Sequence, residues 1–355
     1  MKTNSSSAHN NCFDSMRHIA ALSVLFGHHF AISALPEPMA LGDHSIAGMA
    51  VLVFFSISGY LVYKSFLRCS GFIDYLQRRS LRIFPAYLVC VILMVYILGY
   101  FYSTPSFLGT ILSAENFKYL ISYGVFVYPT LPHIFEGYHL NLAVNGSLWT
   151  LPVEFACYLG IGFILSLQKD YKAPLIATAC CAIAYVYIVE SQSTLVLWGL
   201  PAKLIFSFGA SFFMGAFMSA TEKSWNSPIT KICLTIATCA LIYAKSGTPD
   251  IMIYLHLLIP VAVIILGVSF QDKIIAGRFD ISYGLYIYAF PVQQIVVHET
   301  RLSFWPSMFV ALAVTITLAA ASWLLIERPC IRLNRDSRKT TIAQLDNGLI
   351  TDKAA

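Results

Sequence analysis

Residues 46–67 read IAGMAVLVFFSISGYLVYKSFL, and no charge interrupts them before Lys64. A helix needs roughly 20 predominantly apolar residues to cross about 30 Å of hydrocarbon. This stretch has that length, and before Lys64 its polar groups are only the hydroxyls of Ser56, Ser58, Tyr60 and Tyr63. It reads as a membrane span.

Nine further segments pass the same test: 13–35, 83–102, 147–167, 173–190, 200–220, 230–246, 250–269, 279–298 and 306–327. Segment 117–128 is apolar but short, is followed by Pro129 and Pro132, and reads as re-entrant or interfacial. Composition agrees with this count. The chain is 57% hydrophobic and 12% charged, against about 45–50% and about 25% in a soluble domain. The excess suits an outer surface that faces lipid. The expected fold is all-α, a polytopic transmembrane bundle of about ten helices over residues 13–329, with polar tails at 1–12 and 330–355. The polar tail after Pro329 is expected to leave no room for a fused second domain.

The first apolar run does not read as a cleaved signal. Arg17, His18, His28 and His29 interrupt it, and many spans follow. Cations orient the bundle, since cytoplasmic loops carry the excess of Lys and Arg. With the N-terminus inside, Lys2, Arg68, Arg78, Arg79, Arg82, Lys169, Lys172, Lys223, Lys231, Lys273, Arg278 and the tail from Arg328 to Lys353 face the cytoplasm. Lys118, Lys203, Lys245 and Arg301 fall outside, a split of 17 to 4 that also puts the C-terminus inside. The net charge of +5 is therefore topological, and no basic run interleaved with aromatics suggests nucleic acid. The nine cysteines form no CxxC pair and no zinc-ligand spacing, so neither a disulfide framework nor a metal is expected.

Ionisable residues inside a membrane are costly and mark functional positions. Arg17 and His28 lie eleven residues apart, about 20° from alignment on one helix face and about 16 Å apart along its axis. Arg17 then sits near the inner surface, and His28 about 10 Å below the outer one. His29 points away and reads as structural. Glu154, counted inward from Ser147, also falls about 10 Å below the outer surface. An imidazole and a carboxylate at one depth suit a general base and the group that orients it. Lys64 lies at the depth of Arg17. Arg79 and Arg82, in the loop before the third span, would share a face if helical, and forked guanidiniums bind phosphates well. Blander readings stand beside these: Arg17 as a snorkelling anchor, His28 as a satisfied core histidine, Glu154 in a structural pair, Arg79 and Arg82 as topology signals. The outer loop, about 103–146, carries His133, Tyr138 and His139 and reads as an acceptor contact or a packed lid. A transporter or proton relay is the rival reading of the buried Arg, His and Glu, although the sequence has no convincing internal repeat.

Six ordered motifs resemble the acyltransferase family 3 membrane proteins, which O-acylate envelope glycans. They are Phe13-Asp-Ser-Met-Arg17 with His28 eleven residues on, Val53-Phe-Phe-Ser-Ile-Ser58-Gly59-Tyr60, Arg79-Ser-Leu-Arg82-Ile-Phe-Pro85, Ser147-Leu-Trp149-Thr-Leu-Pro-Val-Glu154, Ser282-Tyr283-Gly284-Leu-Tyr286 and Glu327-Arg328-Pro329. One departure is Ala289 in Tyr288-Ala289-Phe290-Pro291, where the family often has histidine. The resemblance implies an acyl-coenzyme A donor, usually acetyl-CoA. It implies that Arg17 and His28 are essential, and that Arg79 and Arg82, with Arg17 or Lys64, meet the donor phosphates. His28 is then the base, with Glu154 behind it and Ser58, Tyr60 or Trp149 as oxyanion donors. The implied acceptor is a glycan such as lipopolysaccharide O-antigen or exopolysaccharide, and the implied place is the bacterial inner membrane.

Overall fold

The computed structural model describes residues 11–333 apart from 103–105, 142, 249, 273–274, 276 and 278. Both polar tails, Lys273 and Arg278 thus lie largely or wholly outside the described residues. The chain forms a bundle of antiparallel helices. In order they are α1 (Phe13–Ile32), α2 (Ile46–Phe66), α3 (Phe72–Ile92), α4 (Gly99–Tyr102), α5 (Phe107–Ile111), α6 (Ala114–Gly124), α7 (Thr150–Leu167) and α8 (Lys172–Glu190). Then come α9 (Ala202–Ala220), α10 (Glu222–Trp225), α11 (Pro228–Lys245), α12 (Ile251–Ser269), α13 (Ser282–Glu299) and α14 (Phe304–Ser322). Wider π-type turns continue α3 through Leu93–Leu98 into α4, and α14 through Trp323–Glu327. The only strands among the described residues are two short ribbons, Met39–Leu41 with His44–Ser45 and Val196–Leu197 with Leu200–Pro201.

Eight helices are long and apolar enough to cross a membrane, and all eight fall on expected spans. The other two expected spans are the helices α1 and α13. They fall outside that set because they carry the polar side chains: Asp14, Arg17, His18, His28 and His29 on α1, Gln293, Gln294, His298 and Glu299 on α13. Both are interior. In α13, 13 of 18 residues are buried. On the periphery, α11 buries only Thr238 and exposes Ile229, Ile232, Ile236 and Leu241. In water such a surface would invite association; in lipid it needs no partner. We call the helix ends inner and outer by the cation distribution derived from the sequence.

One expected boundary changes. The third span begins at Phe72 rather than at 83, and runs 31 residues to Tyr102. Its charged first turns do not look like a span in sequence, yet Arg79 and Arg82 turn inward to buried partners and continue the helix. The motif expected in a loop is thus helical. Segment 117–128, expected as re-entrant or interfacial, falls largely on α6, whose 11 residues rise about 16 Å, too little to span. It is held against α3 by the Tyr87 hydroxyl, which donates to the Tyr123 carbonyl at 2.5 Å.

Helix α2 is capped by Ser45, whose side chain accepts from the Gly48 N–H at 3.1 Å. It packs on α9 at backbone contact. A Cβ on Gly59 would stand 1.8 Å from the Phe212 carbonyl oxygen, and one on Gly215 would stand 2.2 Å from that of Ser56. Small residues allow this approach, and it fixes the rotation of α2. Ser58 therefore faces one side of the helix and Tyr60 another.

Candidate active site

A cavity lies between α1, α2, α3, α7 and α13. Its polar lining includes Arg17, Arg79, Arg82, Ser58, Glu154 and Tyr158. At its inner end one carboxylate organises two arginines. Asp280 directly precedes α13, and its Oδ1 accepts from the Ser282 hydroxyl at 2.6 Å and the Ser282 N–H at 3.3 Å, which ties the side chain to the helix start. Its Oδ2 accepts from Arg82 at 2.5 Å and from Arg17 at 3.2 Å. Arg17 also pairs with Asp14, one turn back on α1. Arg79 differs. Its Nη2 donates to Ser65 Oγ at 3.1 Å, and its buried Nε has no partner. Among the described residues no carboxylate comes within ion-pair distance of it. Arg79 is thus the arginine of this cavity without a carboxylate partner among the described residues.

Sequence reasoning missed Asp14 and Asp280. A signal was present, because buried guanidiniums require counter-charges, and both acids stand inside or beside quoted motifs.

Glu154 sits one turn into α7. It accepts from Ser58 Oγ at 3.0 Å and from Tyr158 OH at 2.5 Å. It does not pair with His28. The His28 Nδ1 instead lies 3.5 Å from Ser147 Oγ, and the imidazole meets the Phe290 ring edge-on at 5.2 Å. The error in the depth estimate is physical. Helix α7 begins at Thr150, so Ser147 belongs to the preceding turn and Glu154 lies about 6 Å deeper than Thr150. The carboxylate therefore falls more than a turn below the imidazole.

Three other expected site residues face elsewhere. Lys64 pairs with Glu222 at 2.7 Å and donates to Tyr60 OH at 2.9 Å, in a separate inner cavity shared with Arg68 and Lys231. Tyr60 packs against Phe13 at 5.2 Å on that same side. Trp149 packs on Phe208 of α9, at 5.6 Å. Of the oxyanion candidates, only Ser58 lines the cavity that holds the arginines. His29 is fully buried against Ser307, Gln293 and the Phe304 carbonyl, a structural arrangement.

The outer loop is fastened to the end of α13. Tyr138 stacks on His298 at 4.0 Å, its hydroxyl is bonded to Glu299, and the His139 N–H donates to His298 Nε2 at 3.2 Å. Burial, and then the Glu299 carboxylate, push the Tyr138 hydroxyl well above its usual pKa. The tyrosine stays a neutral donor at any working pH.

The family described as "Acyltransferase domain" matches residues 10–326, from just before α1 to the wider turn after α14. The chain belongs to the acyltransferase 3 family. It is a multi-pass membrane acyltransferase. One relative is named "O-acetyl transferase", from Shigella phage Sf6, and is 36% identical over 342 residues, 94% of this chain and 98% of the relative. Another is named "Nodulation protein 10", from Rhizobium leguminosarum bv. viciae, and is 27% identical over 378 residues, 95% of this chain and 98% of the relative. No solved structure matches. Within the acyltransferase, the family motifs converge: the Arg17 turn, the Arg79–Arg82 pair, Ser58, Glu154 and the Ser282-Tyr283 start of α13 all border one cavity.

Proposed function

We propose that this acyltransferase moves an acetyl group from acetyl-CoA, taken from the cytoplasm, to a hydroxyl of an envelope glycan such as lipopolysaccharide O-antigen or exopolysaccharide, in the bacterial inner membrane. The observation that carries the reading is a cavity with a cationic inner mouth that runs outward to within one helical turn of a half-buried imidazole. The relative from phage Sf6, named an O-acetyl transferase, supports the choice of acyl group.

In this reading the donor phosphates meet Arg79 first, since it has no carboxylate to exchange. Arg17 and Arg82 can join by sharing Asp280 with the ligand. The pantetheine arm extends past Ser58, Glu154 and Tyr158, whose hydroxyls and carboxylate form the polar wall of the cavity. His28 accepts the proton of the acceptor hydroxyl while that oxygen attacks the thioester carbonyl carbon. The C–S bond breaks as the tetrahedral adduct collapses. Coenzyme A leaves as thiolate and takes the proton back from the imidazolium. Positioned general bases contribute roughly 10²–10⁴-fold. Glu154 acts on the donor side through Ser58 and Tyr158, and Ser147 is the group beside the imidazole.

The test uses membranes containing the protein, acetyl-CoA and membrane glycan, with the O-acetyl ester read by mass. His28→Ala should lose transfer by roughly 10²-fold or more and keep normal acetyl-CoA binding. Arg79→Ala should weaken acetyl-CoA binding directly. Full transfer by the His28 variant ends the assignment of the base. Unchanged donor affinity in the Arg79 variant removes the phosphate site.

A further inference from the structure

The cavity stops short of His28, and one layer of side chains separates them. Its outermost lining comprises Val51 and Phe54 from α2, Thr150 from α7 and Tyr286 from α13. Thr150 Oγ1 and Tyr286 OH are hydrogen-bonded at 2.7 Å, and the Phe54 ring meets the Tyr286 ring edge-on at 5.6 Å. Thr150 and Tyr286 are 4% and 8% exposed. Going outward, the chain turn before Thr150 brings Ser147 to His28, and the α13 turn after Tyr286 brings Phe290 to His28. Two independent elements thus set the imidazole one turn, about 5.4 Å, beyond the same bar. Beyond the bar the Phe290 side is tight. A Cβ on Gly146 would stand 2.6 Å from the Phe290 ring, so that ring has no room to retreat.

We propose that Tyr286, Thr150 and Phe54 form a gate between the donor cavity and His28, and that this gate with the Phe290 wall restricts transfer to short acyl groups. The inference rests on the acyl-CoA reading above. A thioester in the cavity reaches the base only when the Tyr286 ring moves off Thr150. An acetyl methyl needs little space past that point. A longer chain must thread the gap and then meets Phe290. When closed, the bar also keeps water at the imidazole from the waiting thioester.

The experiment compares wild type, Tyr286→Ala, Phe54→Ala, Tyr286→Phe and Thr150→Val in membranes, supplied with equal acetyl-CoA and butanoyl-CoA. Glycan esters are separated by mass, and coenzyme A release is followed with and without glycan. Wild type should favour acetyl. Tyr286→Ala and Phe54→Ala should shift the ratio toward butanoyl by about tenfold or more, the scale of methylene discrimination in a pocket. Tyr286→Phe and Thr150→Val keep the bulk and lose the hydrogen bond. They should keep the acyl preference while glycan-independent coenzyme A release rises several-fold. The gate is overturned if the alanine variants still acetylate with an unchanged ratio. It is overturned equally if the near-isosteric pair releases coenzyme A at the wild-type rate, an outcome that does not depend on the alanine variants folding. Absence of any ester from wild type would remove the acyl-CoA reading itself, whereas wild-type acetylation with insensitive variants removes only the gate.

Discussion

Replacing Asp280 with asparagine keeps its shape and deletes its charge. Asp280 is 5% exposed and receives Arg82 at 2.5 Å and Arg17 at 3.2 Å. Removing one partner of a buried ion pair costs about 3–5 kcal/mol, because the other charge is stranded. The two arginines do not lose equally. Arg17 keeps Asp14, whereas Asp280 is the one carboxylate within ion-pair distance of Arg82 among the described residues. The loss therefore falls mainly on one stranded guanidinium, and about 3 kcal/mol is the expected figure. On the scale of about 2–4 °C per kcal/mol for chains of 150–250 residues, the unfolding midpoint should drop by about 5 °C or more. Thermal unfolding of the detergent-solubilised protein without ligand reads this. A ligand that binds only the folded form at 100 times its Kd adds about 2.7 kcal/mol. Because donor phosphate would replace the missing carboxylate, the variant should gain more from acetyl-CoA than wild type does. If Asp280→Asn unfolds with wild type in the absence of ligand, Asp280 is not the counter-charge holding the mouth together.

Two further outcomes follow from the packing. Gly59→Ala puts a methyl 1.8 Å from the Phe212 carbonyl oxygen; α2 and α9 must part, at about 1–3 kcal/mol for overpacking. Thermal unfolding should register that loss, and an unshifted midpoint would show that the two helices are not in backbone contact. Glu154→Gln and Ser58→Ala share one hydrogen bond, so their effects on acyl transfer should fail to add by about 0.5–3 kcal/mol in a double-mutant cycle. Additive effects would mean that Glu154 works elsewhere.

The spans were legible because the constraint on them is one-dimensional: a run must be apolar for about 30 Å, whatever it packs against. The clearest boundary failure, at Arg78 to Arg82, came where charged residues continue a helix by finding inward partners, and hydropathy cannot see a partner. Depth was less legible than membership. Glu154 lines the arginine-bearing cavity and His28 does not: counting Glu154 from Ser147 assumed a helix that starts three residues later. Facing was least legible. Ser58 and Tyr60 are two residues apart, and only the close approach of α2 to α9 at Gly59 and Gly215 decides which one looks into the arginine-lined cavity. That rotation depends on residues 150 positions away, which no local pattern records. Asp280 was overlooked because the search began with cations and stopped before asking what neutralises them.

The two helices too polar to pass as ordinary spans both border the arginine-lined cavity, and the energetics explain why they lie against other helices. A polar side chain in hydrocarbon is expensive unless protein surrounds it. Helices α1 and α13 contact one another, and lipid-facing helices such as α11 and α14 supply the outer surface. This arrangement lets Arg17, His28, Asp280 and Tyr286 occupy a shared interior without paying the cost of lipid exposure. It also separates charge from chemistry along the axis. The paired guanidiniums and acids lie together at the inner end, where the proposed reading places the anionic donor. The imidazole lies at the other end of α1, among Ser147, Phe290 and the closed bar of Tyr286 and Thr150, with no ionic partner among the described residues. In the proposed reading, that setting leaves no carboxylate to hold His28 as an imidazolium before the acceptor hydroxyl arrives.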